Sequence, residues 1–64
     1  MDLQGRMILE AERHAIDRAR REGKPMFIYF KPEGAVYYVR TEEEGRPEGA
    51  VVLKIIHSVG AHEG

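Results

Sequence analysis

The stretch MFIYFKPEGAVYYVR, residues 26–40, decides the fold. Apolar and aromatic residues fill both halves of this stretch, and the segment Lys31-Pro32-Glu33-Gly34 separates them. Proline sets φ at the second position of a turn and glycine accepts a left-handed backbone, so a type I turn with a glycine bulge is expected here. The stretch therefore predicts a β-hairpin with strands at about residues 26–31 and 35–41.

The segment before the hairpin predicts a helix over residues 2–22. Its small and apolar side chains recur at spacings of three and four: Leu3, Met7, Ile8, Ala11, Ala15 and Ala19. Asp2 fits an N-cap, and Gly23 fits the left-handed residue that ends a helix. Because alanine is small, the stripe lets a sheet approach closely, and we expect Ala15 to lie at that contact.

The rest of the chain predicts one more strand. Residues 50–57 are rich in β-branched side chains, whereas residues 42–49 contain three glutamates in a row and read as a solvated, mobile loop. Residues 58–64 read as a loose tail. A chain of 64 residues holds a single domain. The fold class is therefore α+β, with one N-terminal helix packed on a three-stranded antiparallel meander in the order α-β-β-β.

Both faces of this sheet are apolar, which is the most informative property of the sequence. A loop over residues 32–34 pairs Lys31 with Ala35 and places Phe27, Tyr29, Tyr37 and Val39 on one face. A single helix can cover only one face, so the other is expected to be buried against a partner. The interface predicted on this basis consists of Phe27, Tyr29, Tyr37, Val39, Val52 and Ile56.

Length and composition agree with self-association. A domain of this size buries only about 60% of the surface of its unfolded chain, and oligomerisation is one of the usual remedies. The chain has no Cys, no Asn and one Gln among many Arg and Glu residues, a composition typical of thermophile proteins. It has no apolar run that could span a membrane and no signal-peptide pattern, so a cytoplasmic location is expected. We expect a homo-oligomer, a dimer or higher, that serves a structural or protein-binding role.

No group of residues predicts catalysis, a metal site or a cofactor. Ser58 follows His57 directly, and neighbouring strand residues point to opposite faces. The histidines His14, His57 and His62 are too few for a four-ligand site, and His14 is expected to be packed at the edge of the helix stripe. The sequence therefore predicts a protein that is not an enzyme, with no cofactor and no metal.

A small protein that binds single-stranded nucleic acid is the alternative. Aromatic residues on a small sheet, together with positive charges, are how such proteins stack and hold bases. The basic residues that would serve are Arg18, Arg20, Arg21, Lys24, Lys31, Arg40 and Lys54. The net charge of −1 argues against this alternative and favours a protein partner.

Overall fold

One helix precedes three strands, which confirms the predicted α+β class. A computed structural model describes residues 3–57, with the backbone alone for residues 3–6. Its elements in chain order are α1 (Leu3–Glu22), β1 (Met26–Lys31), β2 (Val36–Arg40) and β3 (Val51–Ile56). The predicted N-cap Asp2 and the predicted tail 58–64 lie outside the described residues.

The core lies between α1 and the central strand. Ala15 and Ala19 on the helix are 0% and 1% exposed, and Met26 and Ile28 on β1 are both 0% exposed. The alanine stripe brings the helix backbone close to the sheet, as the sequence predicts. Gly23 ends the helix with a φ of 66°, and its N–H donates to the carbonyl of Ala19 at 2.8 Å.

The strand order is β2-β1-β3, with β1 antiparallel to both neighbours. This order differs from that of a strict meander, in which β2 would be central. Since β2 and β3 both run opposite to β1, they run in the same direction on either side of it. Residues 41–50 are consequently a crossover that travels the length of the sheet, rather than a hairpin loop.

The first hairpin is shifted by one residue from its predicted register. Lys31 lies opposite Val36, not Ala35. Gly34 has the predicted left-handed backbone, with a φ of 90°, but Ala35 is left-handed too, with a φ of 52°. The N–H of Ala35 donates to the carbonyl of Pro32 at 3.1 Å, so the loop has four residues, 32–35. A one-residue shift moves every side chain of β2 to the other face of the sheet.

A second irregularity lies in β3. Ile28 lies opposite Lys54 while Tyr29 lies opposite Val52, so Leu53 is an extra residue that forms a β-bulge. The bulge interrupts the alternation of faces along β3.

We call the face of the sheet away from α1 the outer face. Its side chains are Phe27, Tyr29, Lys31, Val36, Tyr38, Arg40, Val52 and Ile55.

Replacing Ala35 with glycine is expected to stabilise the protein by about 0.5–1 kcal/mol, because alanine pays a steric cost at positive φ that glycine does not. The sign of the change tests the register. In the three-residue loop Ala35 would be an extended strand residue, and glycine there would be destabilising. Urea melts of both proteins at one concentration measure the difference, and a lower free energy of unfolding for Ala35→Gly would contradict the four-residue loop.

Candidate interaction surface

The chain covers the centre of its own outer face. The crossover 41–50 starts beside one end of β1 and finishes beside the other, and α1 already occupies the opposite face. A Cβ built on Gly49 would lie 3.6 Å from Cε of Lys31, an outer-face residue. Tyr29, in the middle of the outer face, is only 7% exposed. The chain therefore buries part of the face that the sequence assigned to a partner, and the end of the crossover lies against Lys31 on that face.

The structure does not bring the six residues of the predicted interface together on one exposed face. Tyr37, Val39 and Ile56 pack against the core beneath α1, and Tyr29 is buried. Phe27 and Val52 do lie on the outer face. The four-residue loop moves Tyr37 and Val39, and the bulge moves Ile56, since each shifts a strand by one position relative to β1.

A polar anchor holds the start of the crossover to α1 on the β2 side of the molecule. The hydroxyl of Thr41 accepts a hydrogen bond from the N–H of Glu44 at 3.2 Å, and the Glu44 carboxylate accepts one from the N–H of Thr41 at 2.8 Å. Arg18 reaches from α1 to the same carboxylate, with Nη2 2.9 Å from Oε2, and it also bonds Glu22 at 2.7 Å. This part of the predicted mobile loop is thus held to the helix.

The anchor shifts the ionisation of its members. The hydrogen bond from Arg18, and after it the N–H of Thr41, lowers the pKa of Glu44 from 4.5 to about 2. The hydrogen bonds to Glu44 and Glu22 raise the pKa of Arg18. Both groups are therefore charged at neutral pH, and the anchor depends on the carboxylate staying ionised.

Acid is expected to weaken this anchor. The pKa of Glu44 is lower in the folded chain than in the unfolded one, so its stabilisation is complete above about pH 4.5 and falls as the pH drops toward 2. Denaturant melts between these two values should lose less stability for Glu44→Gln than for the native chain. Glu42→Gln, which removes a charge from the same loop, is the matched control. Identical acid slopes for the native chain and Glu44→Gln would contradict the anchor.

The two edges of the sheet differ. On β2, Nη1 of Arg18 donates to the main-chain carbonyl of Val39 at 3.1 Å, so a helix side chain lies against that edge strand. On β3, by contrast, four apolar side chains are between 42% and 50% exposed: Val51, Val52, Leu53 and Ile55. Within the described part of the chain, β3 is therefore the more open edge.

Two helix side chains extend the exposed apolar surface of β3. Glu12 bonds Lys54 of β3 at 3.0 Å, which shows which flank of α1 faces that strand. Leu9 and Ile16 lie three residues before and four after Glu12, on the same flank, and are 63% and 40% exposed. We call this surface the β3 side: Leu9, Ile16, Val51, Val52, Leu53 and Ile55. It holds six of the eight large apolar side chains that are exposed among residues 7–57.

An open groove of about 830 Å³ lies on the other flank, between α1 and β2. Met7, Glu10 and His14 line it from the helix, and residues 34–39 line it from the hairpin. His14 is exposed there, not packed as the sequence analysis expected. Over residues 3–57, no three side chains of His, Asp or Glu come together as metal ligands would.

The basic residues of the nucleic-acid alternative do not form one surface. Arg18, Arg21, Lys24 and Lys54 each have a carboxylate within 4 Å: those of Glu22 and Glu44, Asp17, Glu43 and Glu12, respectively. Arg20 is exposed on α1, whereas Arg40 lies 5.3 Å over the ring of Tyr38 on the outer face, which also carries Lys31. The helix cations and the outer-face aromatics thus lie on opposite sides of the sheet.

Comparison of the chain with protein families, with curated proteins and with solved structures finds no match to any of them. In the part of the chain that the structure describes, α1 is not apolar enough to cross a lipid bilayer. The two sides of the molecule differ: on the β2 side a polar anchor holds the crossover to α1, and on the other side apolar side chains are exposed along the edge strand β3.

Proposed function

We propose that this protein is a non-enzymatic, self-associating module with a structural or protein-binding role, and that the β3 side is its interaction surface. The observation that carries the proposal is the exposure of β3. Val51, Val52, Leu53 and Ile55 are all more than two-fifths exposed on a single edge strand of six residues. Contiguous exposed apolar side chains of this kind mark surfaces that bind other proteins.

The backbone of β3 supports the same proposal. An edge strand presents unpaired N–H and C=O groups, and proteins guard such edges with charged side chains or with a covering element. Arg18 lies against β2 in this way. Lys54, the one charged residue of β3, does not guard its edge, because its Nζ is drawn 3.0 Å from Glu12 on the helix.

The outer face is the weaker candidate for the interface. The chain itself already buries the middle of that face, where Tyr29 is 7% exposed. The β3 side has no such cover among the described residues, and it adds main-chain hydrogen bonding to its apolar area.

Analytical ultracentrifugation over a range of concentrations tests the proposal. The native chain is expected to change from monomer to oligomer as its concentration rises through the micromolar range. Val52→Glu should raise the dissociation constant at least about tenfold, since tenfold corresponds to only 1.4 kcal/mol and a buried, unpaired carboxylate costs more. Val36→Glu is the matched control, because Val36 is a valine of similar exposure on the opposite edge strand.

Two results would overturn the proposal. One is a native chain that remains monomeric at about 1 mM, where even weak association is visible. The other is equal loss of association in Val52→Glu and Val36→Glu, which would show that the β3 side is not the interface.

Fluorescence anisotropy with a labelled single-stranded oligonucleotide tests the alternative function, nucleic-acid binding. Tight binding by a monomer would favour nucleic acid as the partner.

A further inference from the structure

The bulge at Leu53 gives β3 a symmetry that a regular strand lacks. In a regular strand, residues three apart face opposite sides of the sheet. In β3, Val52 and Ile55 are three apart, yet both lie on the outer face, opposite Tyr29 and Phe27. Val51 and Ile56 lie opposite Phe30 and Met26, on the helix side. The order of faces is therefore the same when β3 is read from either end. The terminal residues, Val51 and Ile56, lie on the helix side, and the residues next to them, Val52 and Ile55, lie on the outer face.

This pattern matters for pairing with a second copy. Two β3 strands joined antiparallel in one continuous sheet are related by a two-fold axis perpendicular to it, so the same face of both copies points the same way. Residues opposite each other must then share a face. With the axis between Leu53 and Lys54, Val52 faces Ile55 of the second copy, and Val51 faces Ile56 of the second copy. Moving either strand by one residue places outer-face side chains opposite helix-side ones.

We infer that the partner is a second copy of this chain, joined β3 to β3 in that register, so that two protomers form one six-stranded antiparallel sheet with both helices on the same face. This inference rests on the proposed function, since it specifies the partner and the geometry of self-association. The two open edges are removed from solvent, and the outer edges of the dimer are the two β2 strands, each with Arg18 against it.

Charge favours the same register. Lys54 lies opposite Leu53 of the second copy, and each lysine keeps its 3.0 Å contact with Glu12 of its own chain. A shift of one residue in one of the two directions would place Lys54 opposite Lys54, and like charges directly opposite each other destabilise a sheet.

The dimensions leave room for both helices on one face of the sheet. Two β1 strands separated by two β3 strands are about 14 Å apart, while helices in contact lie about 8–10 Å apart. Leu9 and Ile16 are exposed on the flanks of the two helices that face each other across this space. With about 80 Å² exposed on each of its six side chains, the β3 sides of two copies expose about 1,000 Å² in all, so pairing buries at most the lower limit for a specific interface. The area predicts a weak, concentration-dependent dimer.

Cysteine crosslinking tests the register in a chain that has no cysteine of its own. Val52→Cys and Ile55→Cys are made as separate proteins, mixed and mildly oxidised. Opposed residues in antiparallel strands have Cα atoms about 4.5–5.5 Å apart, within disulfide range. The mixture is expected to form a crosslinked dimer of one chain of each kind. Each variant alone should form no crosslinked dimer. In such a dimer the cysteines of the two identical copies would be three strand positions, about 10 Å, apart.

The controls separate this inference from the proposed function. Val36→Cys mixed with Ile55→Cys should give no crosslink, since β2 is the far edge. A native chain that dimerises while Val52→Cys alone crosslinks, or while the mixture does not, would overturn the register and leave self-association standing. A native chain that stays monomeric overturns both the register and the proposed self-association.

Amide hydrogen exchange on the unmodified chain gives an independent measurement. Protection of the β3 amides, but not of the β2 amides, should rise with protein concentration. Equal protection at all concentrations would contradict edge pairing.

Discussion

Ile28→Ala is expected to lower the free energy of unfolding by about 2–5 kcal/mol, the largest effect of any single substitution proposed for this chain. Ile28 is 0% exposed and lies on the central strand, among the alanines of α1. Truncation removes buried methyl and methylene groups and leaves a cavity that the helix and the sheet cannot fully close. A domain of 64 residues has little stability to lose, so the variant is expected to be partly unfolded at 37 °C.

Urea denaturation followed by circular dichroism measures this effect, at one protein concentration because association and stability are linked. Val36→Ala is the matched control: Val36 is 40% exposed on β2, and its truncation should cost well under half as much. Equal losses for the two variants would show that the core does not lie where the structure places it.

Ala15→Leu is expected to destabilise the chain by about 1–3 kcal/mol or more, through overpacking. Ala15 is 0% exposed in the middle of the helix stripe, so the extra carbon atoms have no solvent to enter. Leucine and alanine both favour the helix, and the intrinsic propensity of α1 therefore changes little. The loss arises from separating the helix and sheet layers, or from forcing strained side-chain rotamers.

Thermal melts of Ala15→Leu and of His14→Leu make the comparison within one turn of the helix. His14 is exposed, so the same leucine one position earlier is expected to leave the melting temperature nearly unchanged. An unchanged melting temperature for Ala15→Leu would mean that α1 presents a different face to the sheet.

The candidate surface was only partly readable from the sequence. Val52 was predicted to lie at an interface, but Leu9, Ile16, Val51, Leu53 and Ile55 were not. One signal could have pointed to them: the segment Val51–Ile56 is apolar at positions of both parities, which a strand with one solvated face would not be. The sequence does not show that β3 is an edge strand, because strand order depends on where the crossover 41–50 passes.

The sequence by itself determined the local elements. Alanines at spacing four made the helix face, Gly23 ended the helix, and the left-handed Gly34 marked the hairpin, because each depends on the conformational preferences of a few adjacent residues. Only the tertiary structure decided the four-residue loop at Ala35, the bulge at Leu53 and the burial of Tyr29. These features depend on contacts between residues far apart in the chain, and their energies exceed the small cost of a left-handed alanine or one unpaired strand residue. Long-range contacts also decided which edge of the sheet is exposed. Arg18 of α1 donates hydrogen bonds to Val39 and Glu44, more than 20 residues away in the chain, on the β2 side. The edge that remains exposed is therefore β3.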